Sequence, residues 1–139
     1  MAVGIAVRSV EVRNSRELAL ELASMDRERP DALLILADPL TTSERLRIVE
    51  FAAAQRLPAM YETSRFVEVG GLMSYGPNVN QIVRRAATYV DKILRGAKPG
   101  DLAIEQPATF ELVVNLKSAK AQRITIPQSV LLQADRTIE

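Results

Sequence analysis

The 139-residue chain contains no cysteine and no histidine. Those two absences remove disulfides, thiol nucleophiles, zinc sites of the usual kinds and every histidine-based triad or proton shuttle. Charge of one sign is missing too, since 18 basic and 17 acidic side chains leave a formal net charge of +1. That balance offers no broad electrostatic footprint to a nucleic-acid backbone or an anionic membrane, so neither is an expected partner. Long apolar runs are also lacking. Met1 to Val7 is apolar but stops at Arg8, too short for a signal-peptide core with its cleavage site and far too short to span a bilayer. As written, the chain is expected to carry no export signal and no membrane insertion, and would be cytoplasmic if expressed in this form. The lack of cysteine leaves the compartment open, because a domain of this size with a good core needs no staples.

With 47% hydrophobic and 25% charged residues, the composition is that of one globular domain spanning 1–139. Val10 and Val12 alternate with Ser9, Glu11 and Arg13, so the stretch from about Ile5 to Val12 reads as a strand near a sheet edge. Asn14 or Ser15 caps a helix with Leu18, Leu22 and Met25 at helical spacing, which Pro30 stops. Ala32 to Ala37 is continuously apolar, the pattern of a strand covered on both faces by helices. Asp38-Pro39-Leu40 turns the chain, and Thr41 with Glu44 has capping-box spacing for a helix running to about Arg56. Leu57 to Tyr61 reads as a third strand, followed by a polar loop from Glu62 to Arg65.

The most informative stretch is Gly70-Gly71-Leu72-Met73-Ser74-Tyr75-Gly76, a strand that ends in Pro77-Asn78 and runs into an amphipathic helix from about Val79 to Leu94. It puts small backbone donors, a hydroxyl and one aromatic ring at a strand's carboxyl end, where open α/β sheets hold ligands. Val79, Ile82, Val83, Ala86, Val90, Ile93 and Leu94 keep the helical rhythm, with Asn78 as cap and Gly96 as terminator. Beyond the turn at Lys98 to Asp101, a looser extended segment starts at Ile104. Phe110 to Asn115 is a last strand, Leu116 to Ala121 a short helix, and Pro127 breaks a tail with one more helical turn. The order β-α-β-α-β-β-α-β-α predicts a three-layer α/β sandwich with a mostly parallel sheet.

Three segments in order, Leu34-Ile35-Leu36-Ala37-Asp38-Pro39, Gly70-Gly71-Leu72-Met73-Ser74-Tyr75-Gly76-Pro77 and Phe110 to Lys120, resemble the carboxyl-terminal half of the ABC transporter substrate-binding protein family. The resemblance implies one lobe of a type I periplasmic-binding-protein-like fold, with residues about 1–76 as second-lobe core and about 77–139 as crossover helix, strand and tail. It further implies a small solute such as an amino acid as cargo, an ABC permease as partner and a periplasmic location. Half of the expected two-lobed cleft has no counterpart here. One lobe alone buries little of a ligand. A missing central strand also exposes a sheet edge and apolar helix faces, which predicts a homodimer with exchanged elements.

The candidate ligand-binding residues are Asp38, Thr41, Tyr61, Glu62, Arg65, Ser74, Tyr75 and Gly76. Asp38 either accepts hydrogen bonds from a ligand amine or fixes its own turn before Pro39. Thr41 is first a helix cap, with a free amide beside it that can meet a carboxylate. Tyr61 offers a stacking face, while Glu62 and Arg65 offer opposite charges to a zwitterion or pair with each other at the surface. Ser74, Tyr75 and Gly76 converge before a helix start, although Tyr75 can equally pack in the core. Gly70 and Gly71 supply positive-φ geometry or close backbone approach, and Arg84-Arg85 is expected in solvent. No catalytic residue, metal site or cofactor is expected. Two other readings stay open: an effector-sensing domain of a transcription regulator, fused to a DNA-binding partner because no basic helix-turn-helix segment is present, and a small α/β enzyme using Asp38 or Glu62 as base with Tyr75 as acid.

Overall fold

The computed structural model describes residues 4–106 and 109–139. The start of the Met1–Val7 run and part of the extended segment after Ile104 lie outside the described residues. The elements, in chain order, are α1 (Ser15–Glu28), β1 (Leu33–Ile35), α2 (Pro39–Ser43), α3 (Arg45–Gln55), β2 (Ala59–Tyr61), α4 (Ser64–Glu68), β3 (Met73–Pro77), α5 (Val79–Leu94), β4 (Phe110–Asn115), α6 (Leu116–Gln122), α7 (Gln128–Leu131) and β5 (Arg136–Ile138). One five-stranded sheet of order β1-β2-β3-β4-β5 runs through the structure. Only the β3–β4 pairing is antiparallel, so the sheet is mostly parallel and flanked by helices, as expected. Among the described residues no helix is long and apolar enough to cross a membrane.

Local chemistry explains the helices. The Asn14 side chain accepts the Glu17 amide and Glu17 reciprocates on the Arg13 amide, satisfying donors that the first turn of α1 leaves open. Helix α1 ends before Pro30 with Arg29 left-handed at φ 50°. Asn78 and Asn115 cap α5 and α6 by the same side-chain-to-backbone bond, and Gly96 follows α5 at φ 101°.

The largest core cluster lies on one face of the sheet, and on β4 the adjacent Val113 and Val114 are fully buried on opposite faces. Leu18 and Leu22 of α1, Ile48, Val49 and Ala52 of α3, and Phe66 of α4 pack on Ala59 and Tyr61 of β2. Two glycines let α4 meet the sheet. Gly70 sits at φ 104°, and a Cβ on Gly71 would come within 2.7 Å of both the Phe66 carbonyl oxygen and the Tyr61 ring. Asn115 Nδ2 donates to the Val67 carbonyl and Ser118 Oγ to the Gly70 carbonyl, tying the start of α6 to the end of α4.

Several expectations are overturned. Residues 5–12 form no strand: the stretch is largely exposed and pairs with no strand among the described residues, and alternation alone makes no sheet. The Ala32–Ala37 strand shortens to Leu33–Ile35 and is an outer strand, not one covered on both faces, since Leu34 and Leu36 are exposed. The capping box lies three residues earlier, on Asp38 and Thr41, and Glu44 interrupts the following helix. The Glu62–Arg65 loop is cut short by α4, and the tail ends in a strand, β5, paired parallel to β4.

Phe66 is fully buried and stacked on Tyr61. Phe66→Ala is expected to cost about 3–5 kcal/mol of unfolding free energy, against less than about 0.5 for Leu20→Ala on the exposed side of α1. Urea melts of the two variants beside the parent check this.

Candidate functional site

The carboxyl ends of β1, β2 and β3 are knotted together. As α2 starts, Asp38 Oδ1 accepts the Thr41 amide at 2.7 Å, while Thr41 Oγ1 accepts the Asp38 amide at 2.9 Å and donates to the Leu36 carbonyl at 3.0 Å. From the end of β2, Glu62 Oε2 accepts the Ala37 amide at 2.8 Å, and the Glu62 amide donates to the Ile35 carbonyl at 3.1 Å. Gly76 of β3 completes the knot, because a Cβ there would lie 1.9 Å from the Glu62 carbonyl oxygen. Only glycine lets the third strand come this close.

Of the residues singled out in the sequence, Asp38, Thr41, Glu62 and Gly76 are thus brought together. Asp38 does fix its own turn, yet among the described residues its Oδ2, like Glu62 Oε1, accepts no hydrogen bond. Each carboxylate thus keeps an oxygen able to accept from an ammonium group.

The others lie elsewhere. Tyr61 is 1% exposed and its ring stacks on Phe66 at 4.8 Å, so it presents no face to a ligand. Burial pushes its phenol up to about 12. Ser74 stands opposite Tyr61 in register and is buried on the same side. Tyr75 points to the opposite face, exposed, with its ring stacked on Phe110 at 5.7 Å. Arg65 makes no pair with Glu62. It lines a neighbouring cleft of about 220 Å³ with Thr63, Glu68, Asn78, Glu111 and Arg136. In that cleft Asn78 Nδ2 donates to Glu111 Oε2 at 2.8 Å, Arg136 reaches Glu68 at 3.4 Å, and Thr63 Oγ1 is buried without a partner. Sequence reading missed Arg136 and Glu111, which carry no local motif and enter through strand pairing.

A larger hollow of about 310 Å³ between Met25, Arg29, Pro30, Phe51 and Leu57 opens at the amino ends of the strands, away from the knot. Among the described residues no group of three or more acidic side chains is gathered as metal ligands.

A family model described as ABC transporter substrate binding protein matches residues 1–138. The chain belongs to the ABC transporter substrate-binding protein family. Solved structures agree. An ABC domain in complex with L-Trp from Streptococcus pneumoniae is similar with a TM-score of 0.87 and 29% identity, covering 97% of this chain and 45% of that one. A conserved domain protein from Vibrio cholerae is similar with a TM-score of 0.80 and 29% identity, over 89% of this chain and 42% of that one. At 21% identity and a TM-score of 0.62, the ligand-free, open structure of a substrate-binding protein with adhesive properties from Clostridium difficile shares the fold, over 92% of this chain and 42% of its own. The chain therefore spans less than half the length of these structures. Among curated proteins none matches.

The Tyr61 shift fixes a pH dependence. The folded phenol holds its proton up to about 12 and the unfolded one only to 10.0, so the folded state binds more protons between those values. Stability from this group is complete below about pH 10 and falls as pH rises toward 12. Chemical denaturation across that window, followed with tyrosinate absorbance, should show the fall in the parent and lose this component in Tyr61→Phe.

Proposed function

We propose that this chain supplies one wall of the solute-binding cleft of an ABC import system, holding a small ammonium-bearing molecule such as an amino acid and performing no chemistry on it. The observation that carries the reading is the rim of Asp38 and Glu62, whose unbonded carboxylate oxygens are held still by the bonds their partner oxygens make to Thr41 and Ala37. A carboxylate held by its own backbone contacts loses little freedom when a ligand cation arrives. Family membership and the L-Trp bound to the related domain support an amino acid as the class of cargo. In this reading residues 1–76 are the wall and residues 77–139 the crossover and tail, with Thr41, whose amide is taken by Asp38, holding that carboxylate in place, Gly76 beside the ligand and Ser74 as a packed support. Arg65, in the adjoining cleft, and Tyr75, on the uncovered face, lie at the margins. An ABC permease is the downstream partner, and the periplasm, where the family normally works, is the compartment.

One wall encloses little of a ligand, so the expected affinity is weak. The chain has no tryptophan, which makes the fluorescence of added L-tryptophan a direct readout. Titration with L-tryptophan, backed by calorimetry over an amino-acid panel, should detect binding that Glu62→Gln weakens roughly 10- to 100-fold by removing a charged hydrogen-bond partner, while Arg84→Gln on α5 leaves it unchanged. Failure of every panel member to bind, or equal binding by Glu62→Gln, contradicts the reading.

A further inference from the structure

The chain leaves its sheet at Pro77 and comes back to it at Phe110, and those two residues are register partners on neighbouring strands. Helix α5 and its return segment therefore hang from one end of the β3–β4 ladder. None of the α5 residues is buried. The bonds that keep this excursion in shape are its own: the Tyr89 hydroxyl donates to the Ala103 carbonyl at 2.7 Å, Arg85 pairs with Glu105, and Arg95 pairs with Asp91. Among the described residues a single side-chain hydrogen bond crosses from it to the sheet, Asn78 Nδ2 donating to Glu111 Oε2 at 2.8 Å.

Asn78 is also the only residue between β3 and α5. Pro77 fixes its own φ, so the direction in which the helix leaves the strand rests largely on the dihedrals of Asn78, at φ −72° and ψ 100°. That conformation is unstrained, in a broad region where ψ is free to vary. The side chain removes the freedom. Its Oδ1 accepts the Gln81 amide at 3.1 Å and caps α5, while its Nδ2 is held by Glu111. The Asn78 amide adds a bond to the Thr109 carbonyl at 3.3 Å, across the two points of exit and return. Glu111 is in turn the register partner of Gly76, whose backbone closes on the Glu62 carbonyl, so the tie lies one strand from the rim.

We infer that Asn78 and Glu111 form the latch of a hinge. Their hydrogen bond holds α5 at one angle to the sheet, and its release lets the helix and its return segment swing as one body about Asn78 and the Thr109–Phe110 junction. The latch thereby sets where the apolar stripe of α5 stands relative to the rim. A carboxylate acceptor makes the bond strong enough to select one angle, and its half-buried position leaves it open to competing water. The inference concerns the pivot alone and holds whatever else packs on α5. It needs no solute, so its test is separate from the binding titrations.

With no cysteine in the parent, Leu20→Cys on α1 and Val90→Cys on α5, both exposed, accept a pair of spin labels whose separation pulsed electron paramagnetic resonance reads. The labelled chain should give one narrow distance distribution. Glu111→Ala keeps the Asn78 cap, and with it the far-ultraviolet helix signal, and is expected to raise the population of other angles roughly tenfold, broadening the distribution. Asn78→Asp also keeps a capping oxygen but sets a second carboxylate against Glu111, and should broaden it as much. Combining Asn78→Asp with Glu111→Gln returns one acceptor and one donor to the pair, and should restore the narrow distribution. Should Glu111→Ala lose its helix signal, Asn78→Asp and the combined variant decide. A broad distribution in the parent, a distribution that neither single variant changes, or a combined variant that stays broad with its helix signal intact overturns the inference.

Discussion

One hydrogen bond organises the carboxyl end of the sheet in this molecule: Glu62 Oε2 accepting the Ala37 amide at 2.8 Å. Parallel strands end with backbone donors and acceptors that the ladder no longer satisfies, and a carboxylate bond to such an amide is stronger than a neutral one. Here it joins the exit of β1 to the exit of β2, while the Glu62 carbonyl meets the backbone of β3 at Gly76. The Asp38–Thr41 box starts α2 directly beside it. The same contacts that end three strands leave one oxygen of each carboxylate without a hydrogen bond among the described residues. Tyr61 and Phe66 serve that end from below, their stacked rings filling the core under the rim.

The opposite face carries a different constraint. This chain buries one side of its sheet well around Ile48, Val49, Phe66 and Val67, and on the other side buries Val114 while leaving Leu34, Leu36, Tyr75 and Phe110 open. The amphipathic α5 stands away from that face on its own strap. Polar rim and uncovered surfaces are thus separate properties of one fold, the first set by polar contacts at strand ends and the second by apolar area without a neighbour in this chain. The similar solved structures place this chain's fold within molecules more than twice its length.

Legibility in the sequence followed the range of the forces involved. Helices α1, α5 and α6 could be read because caps and 3.6-residue periodicity act within a few residues, as Asn14, Asn78 and the run after Asn115 show. Strand β4 was legible from its apolar, β-branched run. The alternation of Val10 and Val12 with Ser9, Glu11 and Arg13 made no strand, because pairing needs a partner that alternation does not supply. Asp38-x-x-Thr41 and Thr41-x-x-Glu44 both fit a cap by spacing, and contact with the Leu36 carbonyl settles the choice for the first. Tyr61 was misjudged as a ligand face because a three-residue strand carries too little alternation to say which side is core. Arg136 and Glu111 reach their cleft through long-range strand pairing, which leaves no local signature.

The central claim, that the rim formed by β1, β2 and β3 is where solute meets protein, is tested most directly by amide chemical shifts during addition of a zwitterionic amino acid. The account predicts the largest movements at Ala37, Asp38, Thr41, Glu62 and Gly76, and much smaller ones when the same amount of a carboxylic acid lacking the amino group is added. Movements confined to the hollow around Met25 and Phe51, or equal responses to the two compounds, would contradict it.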